Sequence, residues 1–181
     1  MHKIAIYGGA FNPPHSGHAN VMIEASKQAE SLLVVPSFKH PFGKVMVDYQ
    51  LRIQWLNRIV DRVRTHCSSS IEVSDVEANL AREVGEPIFS FNLLSYVARI
   101  NEVDPKSVAL VVGQDVADLL PTFHLGPKLL DTFSIITIPE QVGVRSTMMR
   151  QRLESGEQMP PHWVAPGLDP MDYKIYAAKA A

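Results

Sequence analysis

Short runs that are apolar from end to end, each cut off by glycine or proline, constrain this chain more than any other feature. Ile4-Ala5-Ile6-Tyr7 closes at Gly8-Gly9, Ser31-Leu32-Leu33-Val34-Val35 at Pro36, and Val108-Ala109-Leu110-Val111-Val112 at Gly113. Phe133-Ser134-Ile135-Ile136-Thr137-Ile138 makes a further strand, and Ser70-Ile71-Glu72-Val73 a brief one. Strands that are apolar throughout need cover on both faces, as in parallel sheets. The intervening stretches predict helices over residues 16–30, Tyr49–Val63, residues 92–101 after a loop through Gly85 and Pro87, Ser146–Glu154 and residues 170–180. Residues 114–131 predict two short helical pieces split around Pro121 and Pro127. Strand alternating with helix in this way implies a doubly wound α/β fold of about five parallel strands with helices on both faces.

The chain has 181 residues, 17 Lys and Arg against 19 Asp and Glu, and one cysteine. One domain over residues 1–181 is the expected organisation. A domain of this size buries roughly 70% of its unfolded surface, so it needs no disulfides or structural metal. Cys67 has no cysteine partner, which suits a reducing compartment. The net charge of −2 leaves no basic face for duplex nucleic acid, so any anion binding must be local. No apolar run approaches the ~20 residues of a membrane span, and the N-terminus lacks a signal-peptide pattern. A cytoplasmic protein is expected. Nothing separates a buried helix face from an interface, so a homo-oligomer stays open.

Doubly wound sheets bind ligands outside the carboxyl ends of their strands. There the chain carries Gly8-Gly9-Ala10-Phe11-Asn12-Pro13-Pro14-His15-Ser16-Gly17-His18. Paired glycines let backbone N–H groups approach a ligand that a Cβ would block. His15 and His18, three apart at a helix start, project from the same side as a donor cluster suited to polyphosphate. As metal ligands they lack a nearby carboxylate or thiolate, since Glu24 lies two turns on. A second segment, Val144-Arg145-Ser146-Thr147-Met148-Met149-Arg150, opens a helix. Ser146 and Thr147 can cap it and donate hydroxyls to an anion at its positive end, and Arg150 can make a two-pronged phosphate contact. An ordinary capped helix with a solvated arginine has the same local pattern. Val112-Gly113-Gln114-Asp115 places a carboxylate just past a strand, where it can accept bonds from ribose hydroxyls.

The first string resembles, at every fixed position, the Gly-Gly-x-Phe-x-Pro-x-His-x-Gly-His signature of the nicotinate and nicotinamide mononucleotide adenylyltransferases, nucleotidyltransferases with a His-x-Gly-His motif. That resemblance implies a Rossmann-like domain. It implies catalytic roles for His15, His18 and Arg150, and ATP-binding roles for Gly8, Gly9, Phe11, Gly17, Lys44, Gly113, Asp115, Ser146 and Thr147. Lys44 lies in a loop similar to the family's Pro-Pro-His-Lys element, which Lys39 and His40 share. Ser146 to Arg150 is similar to the family's Ile-Ser-Ser-Thr-x-x-Arg element, with Arg145 where the first serine usually stands. For the mononucleotide the resemblance implies Ser90, whose neighbour Leu93 replaces a threonine, and Phe123, which stands where the family has a stacking tryptophan. A core or loop-anchoring role for Phe123 is the other reading.

The implied reaction joins ATP and nicotinate mononucleotide into deamido-NAD with release of pyrophosphate. Mg²⁺ is expected to be carried by the ATP phosphates, with no metal held by side chains. The alternatives are nicotinamide mononucleotide as acceptor, pantetheine phosphate, or a nucleotide-binding module without turnover. The related motif of class I aminoacyl-tRNA synthetases does not fit, because 181 residues leave no room for an anticodon-binding domain. Only seven residues separate Ile138 from Ser146, where the family usually has a longer excursion.

Overall fold

The computed structural model describes residues 1–39, 43, 45–85 and 87–177. Five parallel strands, β1 (His2–Gly9), β2 (Ala29–Pro36), β3 (Ser70–Val73), β4 (Val108–Gly113) and β5 (Ser134–Ile138), lie in the order β3-β2-β1-β4-β5. The register sets Tyr7 beside Val34, Ile6 beside Leu110 and Val111 beside Ile136. The chain runs from β1 outward to β3, then crosses back to β4 on the other side. Strand order therefore reverses between β1 and β4, where the carboxyl ends part and leave room for a ligand.

Alternate residues of each strand feed two cores. Ala5, Tyr7, Leu32, Val34, Ala109 and Val111 pack on one face with α1 (Ser16–Ser26) and α2 (Tyr49–Val63). Ile4, Ile6, Val35, Leu110 and Val112 pack on the other with α3 (Val76–Val84), α4 (Ser90–Ile100) and α6 (Gly126–Thr132). Both faces are thus covered, as strands apolar on both sides require. On α2, Asp48 accepts a bond from the Leu51 N–H at the first turn, and Trp55, Leu56, Ile59, Val60 and Val63 form the buried stripe.

The structure corrects several boundaries. The first helix stops at Ser26 rather than near residue 30, because Ala29 is already paired with His2 in the sheet. The stretch before Gly85 is not all loop: α3 lies there, with Val76, Leu80 and Ala81 buried and Gly85 closing it at φ +85°. The next helix starts at Ser90. Of the two pieces between residues 114 and 131, one is the single turn α5 (Gln114–Ala117). Pro121 sits in a 3₁₀ turn, and Pro127 opens α6 rather than breaking it. Helix α7 (Ser146–Glu154) keeps its expected bounds. The last helical stretch is a 3₁₀ helix, Pro170–Tyr176, and residues 178–181 lie outside the described residues.

Arg52 of α2 is 1% exposed. Its Nη1 donates to the carbonyls of Ala10 and Ser37 at 2.9 Å each, and its Nε to Val47 at 3.1 Å. It ties together the chain leaving β1, the chain leaving β2 and the approach to α2. Arg52→Met keeps the volume and strands these carbonyls, so it lowers the unfolding free energy by about 3 kcal/mol. A urea titration checks this, and a loss under about 1 kcal/mol would show that water replaces the guanidinium.

Candidate functional site

Between the carboxyl ends of β1 and β4 lies a cleft of about 350 Å³. Gly8, His15, Gly17, His18, Gly113, Asp115, Ser146 and Thr147 all line it, together with Arg145. Of these, the sequence reading gave His15 and His18 catalytic roles and Gly8, Gly17, Gly113, Asp115, Ser146 and Thr147 ATP-binding roles, on three separate segments. Part of the wall that the sequence did not assign comes from the short stretch after β5, where Pro139, Glu140, Gln141, Val142 and Val144 face the cleft. Its seven-residue length was the available signal.

His15 and His18 stack, with ring centroids 3.7 Å apart and planes at 28°. The His18 Nδ1 accepts a bond from the His15 backbone N–H at 3.0 Å, which leaves the hydrogen of a neutral His18 ring on Nε2. A Cβ on Gly17 would come within 3.0 Å of the His15 ring, so glycine is what lets that ring lie flat there. Burial, reinforced by the Arg145 cation, lowers His15 to about 4. Burial and the neighbouring His15 hold His18 well below its ordinary value. Both rings are therefore neutral donors at physiological pH, and nothing in the free cleft rewards a charge on them.

The loop bearing these histidines has little regular structure of its own, and its carbonyls are taken by side chains from elsewhere. Arg52 binds Ala10, Arg150 Nη1 binds Asn12, Ser146 Oγ donates to Pro13 at 2.8 Å, and Tyr173 Oη donates to Pro14 at 3.1 Å. Asn12 is held in turn by Tyr176, whose hydroxyl donates to its Oδ1 at 2.6 Å, and by the Val47 N–H at 3.2 Å. Ser16 Oγ donates to the His162 carbonyl at 2.7 Å. Sequence reasoning missed Asn12, Arg52, Tyr173 and Tyr176, because none of them belongs to a local pattern that shows its partner.

Several assigned residues sit differently from expectation. Arg145, not Ser146, is the N-cap residue of α7, and the Ser146 hydroxyl is engaged by Pro13 rather than free for an anion. Arg150 does not line the cleft; its guanidinium reaches Asn12 and the Thr147 Oγ1, the latter at 3.2 Å. Phe11 is 2% exposed and packs edge-on against Tyr7 and His18, while Gly9 makes room for the Phe11 ring at 3.3 Å. Both lie beneath the cleft rather than in its wall. Ser90 and Phe123 are also outside the cleft lining, yet Phe89 packs on His124 at 4.4 Å and brings their two segments together. Leu93 is buried in the core and offers nothing to a substrate. Lys44 lies outside the described residues.

Asp115 is placed by backbone geometry. A Cβ on Gly113 would stand 2.7 Å from its Oδ1, so glycine allows the carboxylate to fold back over the end of β4. Arg145 meets it, with Nη1 donating to Asp115 Oδ2 at 2.9 Å and Nη2 to Glu140 Oε2 at 3.2 Å. Among the described residues no three His, Cys, Asp or Glu side chains gather into a metal-ligand set, and no helix is long and apolar enough to cross a membrane.

Comparison with known proteins places these features in company. The cytidylyltransferase-like family profile matches residues 6–152. A Campylobacter jejuni protein named as a probable nicotinate-nucleotide adenylyltransferase is 28% identical over 130 residues, covering 70% of this chain and 66% of that protein. The chain thus spans about two thirds of that relative's length. The crystal structure of a candidate nicotinate-nucleotide adenylyltransferase from Vibrio parahaemolyticus superposes with a TM-score of 0.72 at 25% identity, over 97% of this chain and 99% of that one. A Plasmodium falciparum nicotinic acid mononucleotide adenylyltransferase complexed with NaAD shares the fold at the same TM-score of 0.72 with 17% identity, over 97% and 95% of the two chains.

Lowered histidine values carry a pH signature. In the unfolded chain His15 takes up a proton near 6.5, whereas the native ring stays neutral down to about 4. Stability is therefore level above the unfolded value and falls as pH drops below it, by about 2 kcal/mol at about pH 5. Urea unfolding of the free protein across this range measures the slope, and His15→Gln removes the His15 share of it while leaving that of His18. An unchanged slope in that variant would place the titration elsewhere.

Proposed function

The chain belongs to the cytidylyltransferase-like family, and from that membership we propose that it transfers AMP from ATP to nicotinate mononucleotide, giving deamido-NAD and pyrophosphate. The observation that carries this reading is the stacked His15–His18 pair in a cleft bounded by Gly8, Gly113 and the start of α7. Neutral N–H donors and a helix N-terminus at one strand-order reversal suit a polyphosphate. The names of the relatives support nicotinate as the acceptor.

In this reading the 5′-phosphate oxygen of the mononucleotide attacks the α-phosphorus of ATP, a new P–O bond forms, and the bond to the departing pyrophosphate breaks. The attacking oxygen is already an anion, so no general base is needed. Catalysis consists of positioning and of donors aimed at the charge that develops on phosphate oxygens. His18, locked as the Nε2–H tautomer, and His15 supply those donors. Arg150 and Ser146 act through the loop carbonyls that hold both rings in place. Asp115 is assigned to the adenosine ribose. Ser90 and Phe123, at the joined segments beside the Phe89–His124 contact, are assigned to the pyridine half. We assign magnesium to the ATP triphosphate, where it would neutralise phosphate charge.

Pyrophosphate release from ATP with nicotinate mononucleotide tests the activity, and release is expected to be faster than with nicotinamide mononucleotide. No release with either acceptor would leave a nucleotide-binding module instead. His18→Ala lowers kcat by about 10²–10³ with little change in mononucleotide binding. Near-normal turnover in that variant would remove the histidine mechanism.

A further inference from the structure

Arg145 stands where the related signature carries serine, and the structure gives it a definite occupation. We propose that Arg145 makes nucleotide recognition conditional on phosphate: in the free protein its guanidinium holds the Asp115 carboxylate, and an arriving polyphosphate draws it away and frees Asp115 for ribose hydroxyls. The proposal rests on the nucleotide reading of this cleft.

The geometry supports such an exchange. One guanidinium spans two carboxylates, at 2.9 Å to Asp115 and 3.2 Å to Glu140. Among the described residues lining the cleft, Arg145 is the sole lysine or arginine, so its charge is the one that a phosphate in the cleft would meet there. The three side chains are about half exposed, and ion pairs this wet are worth little. A polyphosphate offers several anionic oxygens and the stronger two-pronged geometry. Because Arg145 is the N-cap residue of α7, its side chain already starts from the end of the helix that attracts phosphate. It also lies near enough to His15 to lower the proton affinity of that ring.

The Asp115 carboxylate itself lies over Gly113, at the end of β4. When the guanidinium leaves, the carboxylate remains at the end of β4 with acceptor capacity restored. A nucleoside without phosphates cannot trigger the exchange and meets an Asp115 whose Oδ2 is already engaged. Arg145 is therefore a specificity-determining residue that selects phosphorylated nucleotides over nucleosides.

Isothermal titration of the full chain with ATP and with adenosine tests this. Arg145→Ser is expected to weaken ATP about tenfold while tightening adenosine about two- to fivefold, opposite signs that a general loss of structure cannot produce. In an Asp115→Asn background, the same Arg145 substitution should no longer tighten adenosine. Arg145→Lys, which keeps a charge but cannot bridge both carboxylates, should fall between wild type and serine for both ligands. If ATP binds wild type but Arg145→Ser leaves adenosine unchanged, or weakens both ligands alike, the proposal is wrong while the nucleotide reading survives. If wild type binds neither ligand, the nucleotide reading fails and the proposal with it.

Discussion

Four carbonyls between Ala10 and Pro14 are each claimed by a side chain from a distant part of the chain, and the histidine pair depends on those bonds. A loop with neither a sheet ladder nor a helix must find other partners for its buried backbone groups, or lose free energy at each one. Arg52, Arg150, Ser146 and Tyr173 are those partners, and they come from α2, α7 and the terminal 3₁₀ helix. The loop's shape is therefore a property of the whole molecule. Two residues with apparent phosphate-binding signatures, Ser146 and Arg150, are committed to this task.

The cleft divides its electrostatics by depth. The His18 imidazole sits against Phe11 and Tyr7, with His15 stacked on it, and burial keeps both rings neutral. Tyr7 itself is pushed up by burial and by the Asp115 carboxylate. Donors fixed in such a dry wall need no reorganisation when charge appears in front of them. The formal charges, Arg145 with Asp115 and Glu140, occupy the wet rim instead, where rearranging them costs little. Rigid groups thus lie where the chemistry would occur, and movable ones where a ligand would first arrive.

Much of this was legible because it is local. Apolar runs ending in glycine or proline marked the strands, and the paired glycines after the first strand marked a place where backbone N–H groups could meet a ligand. Helix α3 was obscured because Gly85 and Pro87 signal a loop more loudly than Val76, Leu80 and Ala81 signal a short apolar stripe. The loop clamps were illegible for a different reason. Tyr173 reaches Pro14 across 159 positions and Tyr176 reaches Asn12 across 164, and no periodicity in the sequence encodes a pairing at that range. The spacing of the two tyrosines does make sense afterwards, since residues three apart on a 3₁₀ helix point the same way.

Those two phenols also impose an order on how the molecule becomes whole. Contacts of such long sequence separation form only after the intervening chain has been gathered, because closing a long loop is unfavourable until other interactions reward it. The sheet can assemble from neighbouring strands, but the histidine loop has no complete set of partners until the last described turn has docked. A folding chain therefore acquires its scaffold before its cleft, and partly folded forms carry the histidine pair without the loop shape that holds it.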